Sequence, residues 1–300
     1  MRAPGPPGPA GRELCVGAPG TIGGMVQVCL NGTRGSGDGA GVPLSPGDMA
    51  ASAARAVEAG ASDVHLHPKS PCGHDTLSPK AVAATLEAVR SRLRVPVGVT
   101  TGAWAEPDPA ARVARIRAWA VLPDHASVNW HEPGAEESAA ALMERGVGVE
   151  AGIWSETDGA ARFAASPLRT RVLRVLAEVT DPDPRTAADT ARALLASIRP
   201  VPPVVPAAPG APPFPGPPVL LHGEEGGTWP VLRLAGALGL ATRVGLEDTL
   251  LLPDGRRASS NAELVAAGLV EYGRARRASR PGGPAAPGSA GRSRRGRRGG

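Results

Sequence analysis

The residues best placed to do chemistry are two histidines one position apart, in His65-Leu66-His67-Pro68. On a strand, side chains at i and i+2 point the same way, so both imidazoles face one side and Leu66 the other. Two neutral imidazoles side by side are ready ligands for a divalent metal. The plainer reading is a pair of interior histidines hydrogen-bonded to neighbours. A second segment favours the metal: Arg243-Val244-Gly245-Leu246-Glu247-Asp248. Arg243, Gly245 and Glu247 share one face by the same alternation, and Gly245 leaves room for something to approach the backbone. Glu247 completes a His₂Glu set with open coordination positions, the arrangement of a catalytic zinc. A metal-free Arg243–Glu247 salt bridge is the competing reading.

Other polar groups fall where strands should end. They are Thr100 and Thr101, Ser127 and Asn129, Glu150, and then His222 and Glu224, either of which competes with Glu247 as third ligand. His131 is a weaker competitor, whereas His74 and His125 read as loop residues. Trp104, Trp130, Trp154 and Trp229 all sit at or just after expected strand ends, and only Trp119 falls on a helix. They form either a pocket wall for an apolar or cationic group or a simple roof over the core.

These groups need a scaffold that gathers strand ends. From Met25 onward, short β-branched runs alternate with Ala-rich helical segments. The expected strands are Val26–Leu30, Asp63–His67, Val95–Thr100, Ala126–Trp130, Val147–Trp154, Val172–Val179, Val219–His222 and Thr242–Leu246. Helices follow each, the first opening at Ser45-Pro46-Gly47-Asp48 with Ser45 as N-cap and proline at the first helical position. The last runs from Asn261 to about Arg274. Eight β/α pairs in strict alternation predict an α/β fold, a single-domain (β/α)₈ TIM barrel over residues 25–276. A doubly wound sheet would carry a glycine-rich phosphate loop after its first strand, and Asn31-Gly32-Thr33-Arg34-Gly35 lacks that pattern. Active sites of such barrels lie at the C-terminal strand ends, where the residues above converge.

With 300 residues the chain can bury one large core, and 3% aromatic content means building it from Ala, Val and Leu. Its 40 glycines and 33 prolines crowd into 1–24, 200–218 and 278–300. Residues 1–24 therefore read as a disordered extension, 200–218 as a Pro-rich insertion, and 277–300 as a disordered Arg/Gly-rich tail. The net charge of +5 owes much to that C-terminal run of arginines, so a nucleic-acid partner is not expected. Three cysteines without framework spacing fit a reducing cytoplasm, and no apolar run is long enough to span a membrane.

The segments HLHP, VTTG, SVN and RVGLEDTLLLPDG-x-x-ASSNAELV together resemble the β-keto acid cleavage enzymes, of the 3-keto-5-aminohexanoate cleavage type, from Met25 to about Arg274. The resemblance implies that His65, His67 and Glu247 bind one Zn²⁺, that Arg243 and Asp248 are catalytic, and that Thr100 or Thr101 contacts substrate, Thr101 being taken as catalytic. Ser127, Asn129, Glu150, Glu224 and Arg34 are then candidate substrate contacts. The implied reaction takes a β-keto acid and acetyl-CoA to acetoacetate and a new acyl-CoA. A homo-oligomer is implied as well, and the CoA arm is expected across the barrel mouth without a dedicated nucleotide motif.

Three departures from the family pattern stand out. Arg34 occupies a position where a carboxylate is usual, Lys69 and Ser70 stand where an Arg/Asp pair often follows the histidines, and the 200–218 insertion is unusual. The reversed charge at Arg34 disfavours an amino-bearing substrate at that spot. A metal-dependent amidohydrolase is the enzymatic alternative, but it carries its HxH on the first strand and further histidines on the fifth and sixth. A non-enzymatic scaffold binding acidic partners through the basic tail is the other.

Overall fold

A computed structural model describes residues 25–39, 41–198 and 216–279. Its strands are β1 (Val26–Cys29), β2 (Asp63–Leu66), β3 (Val97–Thr100), β4 (His125–Asn129), β5 (Gly148–Trp154), β6 (Arg174–Val179), β7 (Val219–Gly223) and β8 (Thr242–Val244). Helices α1 (Pro46–Glu58), α2 (Pro79–Arg90), α3 (Pro109–Ala118), α4 (Ala135–Glu144), α5 (Gly159–Ala165), α6 (Ala187–Ile198), α7 (Thr228–Leu238) and α8 (Asn261–Ala278) alternate with them. The ladders are all parallel, in the order β7-β6-β5-β4-β3-β2-β1-β8. Between the outermost strands the Leu221 amide donates to Ala241 O at 2.9 Å, and Thr242 Oγ1 donates to Leu221 O at 2.8 Å. These bonds bring the two edges together, so the eight strands form a nearly closed (β/α)₈ barrel, as the alternation predicted.

Local chemistry accounts for the elements. Ser45 Oγ accepts from the Asp48 amide while the Asp48 carboxylate accepts from the Ser45 amide, a full capping box ahead of Pro46. Nearly every strand residue is buried, as expected of strands covered by helices outside and by one another inside. Valine, leucine and alanine dominate that core.

Several boundaries differ from those read off the sequence. Strand β8 stops at Val244 because the Leu246 amide is taken by Asn261 Oδ1 at 2.8 Å, which turns the chain out of the ladder. Helix α7 starts at Thr228, so Trp229 is helical and not a loop residue. His125 is likewise no loop residue, since it opens β4 and lies buried in the interior. Helix α8 continues through Arg277 and Ala278, two residues assigned to the tail. The 1–24 extension, most of the 200–218 insertion and the tail from 280 onward lie outside the described residues.

A buried polar cluster fills part of the interior. His125 Nε2 lies 2.9 Å from Asp63 Oδ1 and its Nδ1 lies 3.0 Å from Glu150 Oε2. Arg174 reaches Glu150 at 2.7 Å and Asp63 at 2.8 Å, and Gln27 Nε2 donates to both carboxylates. Burial would pull His125 down, but Asp63 and Glu150 outweigh it and lift the imidazole to about 10.

Candidate active site

Strand β2 carries His65 one residue before its end at Leu66, and His67 follows directly. Both are buried. The loop after β1 fixes the second histidine by its backbone: Asn31 Oδ1 accepts from the His67 amide at 2.9 Å, and Asn31 Nδ2 donates to His67 O at 3.0 Å. The side chain is aimed by Asp75, whose Oδ2 lies 2.9 Å from His67 Nδ1. Such a carboxylate–imidazole bond fixes the tautomer and leaves Nε2 directed elsewhere.

Here Nε2 points at Glu247, with Oε1 at 3.6 Å, while His65 Nε2 lies 4.0 Å from Glu247 Oε2. Glu247 follows the end of β8 and is placed by close backbone approaches. Gly32, at φ +53°, passes so near the Glu247 side chain that a methyl group there would overlap its Cγ. Gly245 lies against the Cys29 carbonyl of β1, so what approaches this glycine is a neighbouring strand.

The donor set fits a divalent cation. One ligand atom from each of His65, His67 and Glu247 lies within 4.8 Å of the others. Atoms each about 2.1 Å from a common ion stand roughly 3–4 Å apart, so little adjustment is needed. His65 Nδ1 and Glu247 Oε2 are buried without hydrogen-bond partners. Burial holds His65 down at about 4, leaving its imidazole neutral near pH 7. For His67 burial acts in the same direction, but Glu247 and the Asp75 hydrogen bond overcome it and raise the group to about 9. Burial pushes Glu247 up, yet Arg243 and then the two histidines hold it well below the usual carboxylate range.

Arg243 joins this group to a second one. Its Nη2 donates to Glu247 Oε1 at 2.8 Å and to Asp248 Oδ1 at 3.0 Å, and its Nε donates to His222 Nδ1 at 3.2 Å. The Cys29 thiol donates to Asp248 Oδ2 at 2.6 Å. His222 therefore serves the Arg243 side of the site, and among the described residues it is not part of the metal-ligating group.

A cavity of about 400 Å³ opens beside these residues. Of the residues named from sequence, His65, His67, Glu247, Arg243, Thr100, Ser127, Asn129, Glu224 and Arg34 line it. Three others are not brought to it. Thr101 points away because strand alternation turns Thr100 inward, and its Oγ1 donates to Ser127 O at 2.6 Å. Glu150 is engaged by His125, Arg174 and Gln27 in the interior cluster. Asp248 is fully buried behind Arg243. Arg34 lines the cavity but spends its charge within the protein: it donates to Glu225 Oε1 and to Leu246 O, each at 2.5 Å.

The tryptophans divide. Trp104 and Trp154 line the cavity, with centroids 6.2 Å apart, and Trp104 stacks on His67 at 5.8 Å. Trp130 packs edge-on against Phe163, and Trp229 Nε1 donates to Leu251 O, so both are structural. His131 rests on Trp154, 4.8 Å between centroids.

Two positions of the candidate site escaped the sequence reading. Glu178 lines the cavity one residue before the end of β6, and strand-end position plus parity carried that signal. Asp75 sits in a loop, and nothing in its spacing pointed to His67. It also answers the Lys69 departure, because Lys69 Nζ donates to Asp75 Oδ1 at 2.5 Å and to Gly32 O at 2.6 Å.

Among solved structures the chain is similar to ObcA, in a "ternary complex of ObcA with C4-CoA adduct and oxalate" (19% identity, TM-score 0.53) and in its apo form (18% identity, TM-score 0.54). Each match covers 75% of this chain, which spans 62% and 60% of those chains. At that identity the likeness shows the fold alone. No curated protein matches the sequence. The family model described as "beta-keto acid cleavage enzyme" matches residues 24–193 and 218–276, all eight strands included. With that match over most of its length, the chain belongs to the beta-keto acid cleavage enzyme family.

Proposed function

We propose that this chain is a zinc-dependent acyltransferase that converts a β-keto acid and acetyl-CoA into acetoacetate and a new acyl-CoA. The observation that carries the reading is the convergence of His65, His67 and Glu247 within 4.8 Å at the strand ends, with Arg243 bonded to Glu247 beside an open cavity.

When bound, a zinc ion supplies Lewis acidity toward the keto oxygen. The chain's own groups do the rest. Arg243 presents a planar fork suited to a carboxylate, and it is already held in place by Glu247, Asp248 and His222. Thr100, Ser127 and Asn129 offer polar groups from adjacent strand ends to orient the substrate. Asp248 is assigned the base that takes the α-proton. Because it lies behind Arg243, a bound water would have to relay the proton to it. The resulting α-carbon bonds to the acetyl carbonyl and releases CoA thiolate. The thiolate then takes the acyl carbon as the old carbon–carbon bond breaks, and acetoacetate recovers a proton. The C4-CoA adduct in the ObcA ternary complex supports a CoA thioester as co-substrate.

A soluble cytoplasmic homo-oligomer is part of this reading. Among the described residues no helix is long and apolar enough to cross a membrane. Strands β5 and β6 contribute no histidine, which disfavours an amidohydrolase site. The test is elemental analysis of the wild type beside His65→Ala and Glu247→Ala, together with mass spectrometry of the thioesters formed from acetyl-CoA and a panel of β-keto acids. About one zinc per chain, lost in both variants, and a new acyl-CoA are expected. A wild type that holds no metal under non-chelating conditions, or that makes no acyl-CoA, would sink the proposal.

A further inference from the structure

Behind the β3–β4 side of the cavity lies a buried carboxylate that does not itself line it. Glu132 stands in the turn that leads from β4 to α4. Its charge is met by the buried Arg112 of α3, whose Nη1 donates to Oε2 at 2.5 Å. A buried ion pair adds little stability over apolar side chains of the same volume, so stability alone does not account for this one. The pair does, however, hold the carboxylate between two parts of the cavity wall. Oε2 also accepts from the Ala103 amide at 2.9 Å, just before Trp104, the ring that stacks on His67. Oε1 accepts from Asn129 Nδ2 at 2.9 Å.

The bond to Asn129 decides which end of an amide the cavity meets. A carboxylate paired with a guanidinium offers only acceptors, so Asn129 turns its NH2 to Glu132 and its carbonyl oxygen the other way. Asn129 lines the cavity, and among the described residues its Oδ1 accepts no hydrogen bond. Its register partner on β5 is Gly152, where a methyl group would stand 2.5 Å from Oδ1. The missing side chain keeps that oxygen open. We propose that Glu132 is a positioning residue: it locks Asn129 with Oδ1 toward the cavity, so that this wall receives an N–H or O–H of the bound substrate or of a bridging water. The inference rests on the β-keto acid reading above only for its activity test.

The test begins with Glu132→Gln. The glutamine keeps its oxygen for Arg112 and Ala103, so its NH2 meets Asn129 and the Asn129 amide inverts, presenting a donor to the cavity. With acetyl-CoA, the metal-loaded enzyme and a β-keto acid that the wild type turns over, kcat/KM should fall about tenfold, the equivalent of one lost hydrogen bond. Asn129→Asp alone should fall at least as far, because two carboxylates then face each other. Combined with Glu132→Gln, it regains a partner for one oxygen and an acceptor for the cavity, and kcat/KM should return to within about threefold of the wild type. A merely structural ion pair would not be rescued by that second change, and thermal melting reports the folding of each variant. Full activity in Glu132→Gln, or no recovery in the folded double variant, overturns the proposal. The Asn129 NH2 is also read directly by NMR, its resonances identified by their loss in Asn129→Asp. Hydrogen exchange of that group should be about tenfold slower in the wild type than in Glu132→Gln. An unprotected NH2 in the wild type overturns the proposal whether or not the variants fold. If no acyl-CoA forms at all, the β-keto acid reading fails, and the exchange measurement alone judges the role of Glu132.

Discussion

Asp75 grips His67 with one carboxylate oxygen, at 2.9 Å from Nδ1, and Lys69 with the other, at 2.5 Å from Nζ. Lys69 in turn donates to Gly32 O, in the loop that packs on Glu247. The aspartate therefore orients one proposed ligand and steadies the loop against another. Asp75→Asn keeps the size but loses the charge. Metal affinity should fall about 10- to 100-fold, as is usual on losing such an outer carboxylate. Chelator competition measures it, and unchanged affinity would show that Asp75 serves only the loop.

Gly245 allows β8 to lie against the Cys29 carbonyl of β1 and lets the chain turn so that Glu247 faces the histidines. Gly245→Ala should cost about 1–3 kcal/mol of stability, the usual range for overpacking a tight site. It should also lower metal occupancy, because any relief of the overlap moves Glu247. Urea unfolding with metal analysis on the same sample separates this from a general loss of stability. A destabilised variant with full metal content would contradict the positioning role.

Thr100 and Thr101 should separate by kinetics. Thr100 faces the cavity, so Thr100→Val should reduce kcat/KM roughly tenfold with little change in melting temperature. Thr101→Val strands the buried Ser127 carbonyl and should cost about 1–2 kcal/mol of stability. Should Thr101→Val be the kinetically impaired one, the assignment of faces at the end of β3 is reversed.

Stability should fall as the solution is made alkaline. His125 is raised from its ordinary 6.5 to about 10. A group raised on folding stabilises fully below its unfolded pKa and loses that contribution as pH climbs through the folded value. Between about pH 6.5 and 10 the wild type should therefore lose on the order of 4 kcal/mol, and His125→Gln should be less stable at pH 6 with a flatter profile. The carboxyls of Asp63 and Glu150 are pushed up by burial but held low by His125 and Arg174, so their share disappears only on acidification. Denaturant midpoints at about pH 6, 8 and 9.5 check this; parallel slopes in wild type and variant would mean that His125 does not carry the linkage.

Much of the molecule was legible in one dimension. Alternation of short apolar runs with capped, alanine-rich helices announced eight β/α units, because both the period-2 and helical patterns are local properties of the chain. The strand parity of His65 and His67 is equally local. It put both imidazoles on one face before any fold was known, and the parity of Arg243 and Glu247 did the same across the end of β8. The two catalytic assignments that ran against parity do not reach the cavity: Thr101 stands one residue past the inward-facing Thr100, and Asp248, one residue past Glu247, lies behind Arg243.

What the sequence by itself determined is the list of parts: a parallel barrel, an HxH pair, and an Arg-x-x-x-Glu-Asp segment that begins on the last strand and runs past its end. Only the tertiary structure decided which parts meet. Asp75 reaches His67 because an eight-residue excursion folds back over the strand end, and Glu178 joins Glu224 because β6 and β7 run in register. Arg34 is silenced by Glu225, which lies far along the chain. Glu150 is withdrawn into the interior by partners on β1, β4 and β6. Each outcome depends on distance between residues remote in sequence. Coulomb and hydrogen-bond energies act through space, and only closing the barrel sets those distances.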